Sequence, residues 1–149
     1  MKKCFCSLFI IIINLFYSIS QAAIVDAIYW SNLMENTISR ADIDGANIEQ
    51  IHDSTNTQAT LGLAVDYVNS KIYWSNYSVY NDIRRSNFDG TEVEILVDAL
   101  DLPSGLFMDF DNDTMYFSAS NPEQAIIYSS TIDGGNVTEM CHLNNENVD

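Results

Sequence analysis

The side chains with chemical reach are few and scattered. Asp109-Phe110-Asp111-Asn112-Asp113 has the D-x-D-x-D opening of a calcium loop. Its sixth position is Thr114, where such a loop needs glycine to turn, and its twelfth is Ser120, where it needs a bidentate glutamate. The run therefore reads as a tight turn between two strands. His52 and His142 stand apart from other ligand-type residues and read as solvated surface imidazoles. No Ser-His-Asp or Cys-His spacing is visible. Cys4 and Cys6 lie in an apolar N-terminal run, and Cys141 is alone near the C-terminus without the partners a zinc site requires. In a secreted chain a single leftover cysteine indicates an intermolecular bridge, a free thiol or a missing partner. Neither a metal nor a cofactor is expected, and catalysis is not. Asn76, Asn112 and Asn136 open glycosylation sequons, which matter only in a eukaryotic secretory route.

Recognition is the chemistry that remains. Tyr77 and Tyr80 share one short polar stretch; Asp98 and Asp101 share the next; Glu123 lies in the Asn121–Gln124 stretch after that. Aromatic rings beside carboxylates can receive a lysine or arginine side chain. The alternative is a solvated loop face with no ligand.

The elements that position these residues follow from composition and repetition. The chain has 149 residues, 47% of them hydrophobic, enough for a buried core. Six Lys+Arg against 21 Asp+Glu give a formal charge of -15. That balance excludes nucleic acid or anionic lipid bound through a basic surface, and it favours a basic partner. Met1-Lys2-Lys3, an apolar run from Cys4 to Tyr17 and a small-x-small site at Ser20-Gln21-Ala22 form a secretory signal, too short to be a membrane span. The expected division is 1–22 signal, 23–142 folded domain and 143–149 tail, with the mature chain secreted (periplasmic in a Gram-negative source) and free of the membrane.

Three blocks recur in one order. IYWSN begins at residue 28 and again at 72, and MYFSA at 115. ISRADIDG, IRRSNFDG and IYSSTIDG begin at 38, 83 and 127; LGLAVD and SGLFMD begin at 61 and 104. Period-two alternation, aromatic and β-branched runs and Asp-Gly turns make each unit antiparallel β. The expected strands are 61–66, 71–75, 82–86 and 92–97 in the second unit, then 104–110, 114–118, 125–131 and 136–141 in the third. The first has no innermost strand, because the signal occupies its place. Leu61, Leu63 and Val65 are expected on one face, and the recurring Tyr and Trp positions between blades. Four strands in about 43 residues is the signature of a propeller blade.

The pattern resembles the YWTD β-propeller repeats of the low-density lipoprotein receptor class B family over nearly all of 27–141, best in LDLPSGLFMDFDNDTMYFS. The resemblance implies an all-β, six-bladed propeller acting as an extracellular binding or spacing module. Thr-Asp of the motif is Ser31-Asn32, Ser75-Asn76 and Ser118-Ala119 here, so any network built on that Asp is weakened in the third repeat. Thr60 stands where the third unit has Pro103.

Three blades do not close a ring. Two end faces, carrying residues such as Val65, Tyr73, Phe107 and Tyr116, are expected to lack partners, and the sequence stops where the next inner strand should begin. Either the chain is a truncated or half propeller, or two copies with three blades each form a homodimer that completes a six-bladed ring. The functional expectation is a non-enzymatic module that binds a protein or basic peptide through Tyr77, Tyr80, Asp98, Asp101 and Glu123. The alternatives are a fragment of a metal-dependent lactonase- or hydrolase-type propeller, for which Asp66 and Asp109 are the only inner-strand carboxylates at matching positions, and a decayed gene product.

Overall fold

The computed structural model describes residues 27–121 and 123–144, and among these every regular element is a strand. The expected signal, its two cysteines and the end of the tail lie outside them. Blade 1 is β1 (Ala27–Asn32), β2 (Thr37–Asp42) and β3 (Glu49–His52). Blade 2 is β4 (Thr60–Asp66), β5 (Lys71–Asn76), β6 (Asp82–Asn87) and β7 (Glu94–Val97). Blade 3 is β8 (Leu106–Asp109), β9 (Thr114–Ser120), β10 (Gln124–Thr131) and β11 (Thr138–Asn144). Each sheet pairs its strands antiparallel in chain order, the meander that short turns allow.

The Asp-Gly turns form as the sequence expects. Gly45, Gly90 and Gly134 sit at φ 83°, 82° and 84°, each amide bonding the carbonyl three residues back at 2.8–3.0 Å. Asn47, Glu92 and Asn136, two residues later, also adopt positive φ. That second left-handed residue delays re-entry into the ladder, so the outermost strands begin at Glu49, Glu94 and Thr138 rather than at 48, 92 and 136. One alternation fails. A register shift between Thr60 and Leu63 swings Leu61 into solvent, while Leu63 and Val65 stay against the core.

The core lies between blades. At the first junction Ile38 of blade 1 meets Ile72 and Trp74 of blade 2, with Tyr29, Ile51, Leu63, Val65, Phe88 and Val93 around them. At the second, Tyr73, Ile83 and Val97 of blade 2 meet Met108, Met115 and Phe117 of blade 3. Val65 and Tyr73 are thus covered, not aimed at absent partners, because blade 2 is packed on both faces. Only there are both aromatics of the repeat buried: Trp74 is 0% exposed, whereas its counterpart Trp30 in blade 1 is 37% exposed. Phe107, on the face of blade 3 turned away from blade 2, is 65% exposed.

Candidate binding face

Antiparallel alternation sends the β1–β2, β5–β6 and β9–β10 turns and the β3–β4 and β7–β8 links to the same end of the blades. All five candidate binding residues lie there. Tyr77 and Tyr80 are in the β5–β6 turn, Asp98 and Asp101 in the β7–β8 link, and Glu123 in the β9–β10 turn. The structure ties the three segments together. Leu100 N–H donates to the Asn81 carbonyl at 3.0 Å, Ser120 N–H to the Asp101 carbonyl at 2.7 Å, and the Asn121 amide to the Asp101 carboxylate at 3.3 Å. Asn121 in turn accepts from Glu123 N–H and Gln124 N–H at 3.0 and 3.1 Å, which fixes the turn that carries Glu123.

Tyr80 is already engaged. Its hydroxyl donates to the carbonyls of Thr55 and Ser54 at 3.0 and 3.3 Å, bridging to the β3–β4 link, and the Arg84 guanidinium lies 4.2 Å from its ring centroid. The cation that Tyr80 was expected to receive from a partner is supplied on that ring by the fold. Exposed Met34 and Val79 add apolar surface at the same end. The loop reading concentrated on aromatic and acidic types and passed over them; their place in the same turns was the available signal.

Beneath this face runs a buried polar network. Asn76 Nδ2 donates to Asp82 Oδ1 at 2.6 Å, and Arg84 Nε and Nη2 reach Asp82 Oδ2 at 2.8 and 2.7 Å. The Asn56 carbonyl accepts from Trp74 Nε1 at 3.1 Å and from Asn76 and Arg84 at 3.4 and 3.5 Å. Asn76 Oδ1 accepts the Gln58 N–H at 2.9 Å. Asn76 is fully buried, so its sequon offers no accessible amide in the folded chain, while Asn112 and Asn136 are exposed. In blade 3 the matching positions are Ala119, Ile126 and Tyr128. The network there is replaced rather than weakened: Ala119 and Ile126 are buried, and Tyr128 stacks on Phe117 at 5.3 Å.

His52 corrects the sequence reading. It is buried at the first junction, its Nε2 2.8 Å from Ser86 Oγ and its ring 4.7 Å from that of Trp74. Burial pushes its pKa below the ordinary 6.5, with Arg84 acting the same way and Asp53 against it. Pairing with Ile38 beside a register shift places this position toward blade 2, a placement visible only once the period of the repeat is imposed. His142 is exposed and lies 3.1 Å from Glu139, as a surface imidazole should.

Among the described residues the acids outnumber the cations, and the cations are taken up by acids on the strands and their flanks. The described cations are all paired: Arg40 with Glu49, Lys71 with Glu92, Arg84 with Asp82 and Arg85 with Glu94. Glu35, Asp53, Asp98, Asp101 and Glu123, at the loop end, have no cationic partner among the described residues. Asp53 accepts from Thr55 Oγ1 and N–H at 2.6 and 2.9 Å, which holds its carboxyl below the ordinary range. Asp66 and Asp109 close the opposite turns. Asp66 accepts from Val68 N–H, Asn69 N–H and Asn69 Nδ2, and Asp109 from Asn112 N–H and Nδ2. The turn reading of Asp109–Asp113 holds. Among the described residues no three His, Cys, Asp or Glu side chains are placed to share a metal ion.

Comparison with known proteins agrees with the architecture. No family model matches the chain. Protein cueball of Drosophila erecta is 27% identical over 94 residues, covering 60% of this chain and 15% of its own. The vitellogenin receptor of Solenopsis invicta is 27% identical over 110 residues, 67% of this chain and 6% of the receptor, so the chain spans a small part of either relative. Among solved structures, a propeller in a nidogen/laminin complex superposes with a TM-score of 0.73 at 24% identity, over 79% of this chain and 44% of that one. A TolB-like protein from Agrobacterium tumefaciens gives 0.68 at 18% identity, over 80% and 46%. Three matching blades with the repeat residues in register make the chain similar to the repeats of the low-density lipoprotein receptor class B, or YWTD, β-propellers.

Proposed function

We propose that the chain is a secreted, non-enzymatic propeller module that binds a basic protein segment or peptide through the loop end carrying Tyr77, Asp98, Asp101 and Glu123, with Tyr80 as a structural wall of that face. The observation that carries this reading is the gathering of Tyr77, Asp98, Asp101 and Glu123 on hydrogen-bonded loops at one end, where these carboxylates have no cationic partner among the described residues. Uncompensated carboxylates near exposed Met34 and Val79 suit a ligand that brings lysine or arginine together with an apolar anchor. The likeness to a propeller from a nidogen/laminin complex supports a protein partner over a small molecule. Relatives named as a receptor support an extracellular setting, and no helix among the described residues is long and apolar enough to cross a membrane.

The test is fluorescence anisotropy of labelled lysine- and arginine-rich peptides against the full chain, at low and high salt. Binding should weaken with salt. Asp98→Asn and Asp101→Asn should each weaken it about two- to fivefold, the value of an exposed charge pair. Peptide binding indifferent to both substitutions rejects this face.

A further inference from the structure

The two end faces are halves of one kind of junction. At both observed junctions the later blade presents the same positions to the earlier one: Ile72, Trp74, Phe88 and Val93 from blade 2, and Met115, Phe117 and Ile132 from blade 3. The equivalents in blade 1 are Ile28, Trp30, Ile43 and Ile48, and all four are exposed, Ile43 and Ile48 to 67% and 72%. The earlier blade presents Tyr29, Ile38 and Ile51 at one junction and Tyr73, Ile83 and Leu96 at the other. The equivalents in blade 3 are Tyr116, Ile127 and Met140, and beside them Gly105, Leu106, Phe107, Tyr116 and Ile127 line an open groove of about 340 Å³.

The turns repeat this relation. A Cβ on Gly90 would stand 2.7 Å from the Ile51 carbonyl, and one on Gly134 would collide with the Leu96 carbonyl, so each Asp-Gly turn seats on the outer strand of the blade before it. At Gly45 a Cβ meets nothing within 4 Å among the described residues. The strand of matching position for this turn is the one that carries Met140.

We propose that a second copy of this chain fills both faces: blade 1 of one copy packs on blade 3 of the other, twice, giving a closed ring of two chains. The chain carries the complementary residues at its two ends, so no foreign surface is needed to supply them. Size agrees, since the chain matches 44% and 46% of two solved propeller chains, close to half of each. The junction is head-to-tail, and such contacts close when the rotation per copy divides a full turn. The apolar area left wet on a lone copy is the kind that marks an interface.

The experiment is the mass of the full chain in solution by sedimentation or light scattering. A dimer is expected. Ile48→Lys alters one face, and Met140→Lys the other; both residues are exposed in a single copy, so neither substitution threatens the blade that carries it. Each should weaken self-association about tenfold or more, as loss of a buried anchor does. A mixture of the two variants should recover one intact junction and re-form a dimer that neither variant forms alone. A monomeric parent, an open polymer, or a dimer that either variant leaves unchanged overturns the proposal. Peptide binding at the loop end is read separately, so either result can fail without the other.

Discussion

At the residue scale, His52 sets a pH response. Its pKa is depressed in the folded chain, so the unfolded chain binds the extra proton near its ordinary 6.5. Stability from this residue is present above that value and is lost as pH falls below it, toward the depressed pKa. Urea melts between pH 7.5 and 5.5 should show a falling midpoint that His52→Gln flattens. Asp89 and Asp133 act lower: hydrogen bonds from Thr91 and Thr131 depress their carboxyls, so their contribution is present above the ordinary carboxylate range and is lost below it. The two windows separate the effects. Trp74→Ala should cost about 3–5 kcal/mol through the cavity it leaves, since blades 1 and 2 hold its surroundings fixed. Asp82→Ala leaves Arg84 buried and unpaired and should cost about 3–5 kcal/mol, measurable in the same melts.

At the element scale, the glycine turns distinguish local strain from docking. Alanine at Gly45 faces only its left-handed backbone, a cost of about 1–2 kcal/mol. Alanine at Gly134 adds a collision with the Leu96 carbonyl and should cost clearly more in a thermal melt under conditions where the chain is monomeric. The strands and turns themselves were legible in the sequence, because Asp-Gly after an alternating run specifies a hairpin and three copies average out local ambiguity. What was not legible came from second-order geometry. The bulge at Leu61 depends on how β4 meets β5, and the shortened outer strands on positive φ at residues such as Glu92, which its residue type does not announce. The candidate loops were placed together correctly, since alternation alone puts them at one end. The Arg84–Tyr80 contact was missed because it links a strand residue to a turn, and a charge count does not say which cations are already held.

At the scale of the whole molecule, stability is distributed over junctions and so peaks in the middle. Blade 2 is packed on two faces and carries the buried Asn76–Asp82–Arg84 network; among the described residues, blades 1 and 3 have one covered face each. Native-state hydrogen exchange should show β5 and β6 as the slowest amides, with β1 and β11 opening earlier. Under conditions that favour the proposed dimer, the difference should narrow, because β1 and β9 gain neighbours. The sequence revealed the wedge-like units and their order. It did not reveal which residues stay covered in a lone copy, since equivalent positions read alike and differ only by having a blade beside them.

The core has one further consequence. Because Ile38 and Trp74 meet across a junction rather than within a sheet, covalent continuity through residues 53–59 is not what holds blade 1 to blade 2; side-chain packing and the hydrogen bonds of that link are. A protease that nicked that link would not free a piece: 27–52 and 60–144 should stay mated through the nick, part only in denaturant, and re-form one particle when remixed. In that sense the chain is a set of interlocking parts that happens to be threaded on a single string.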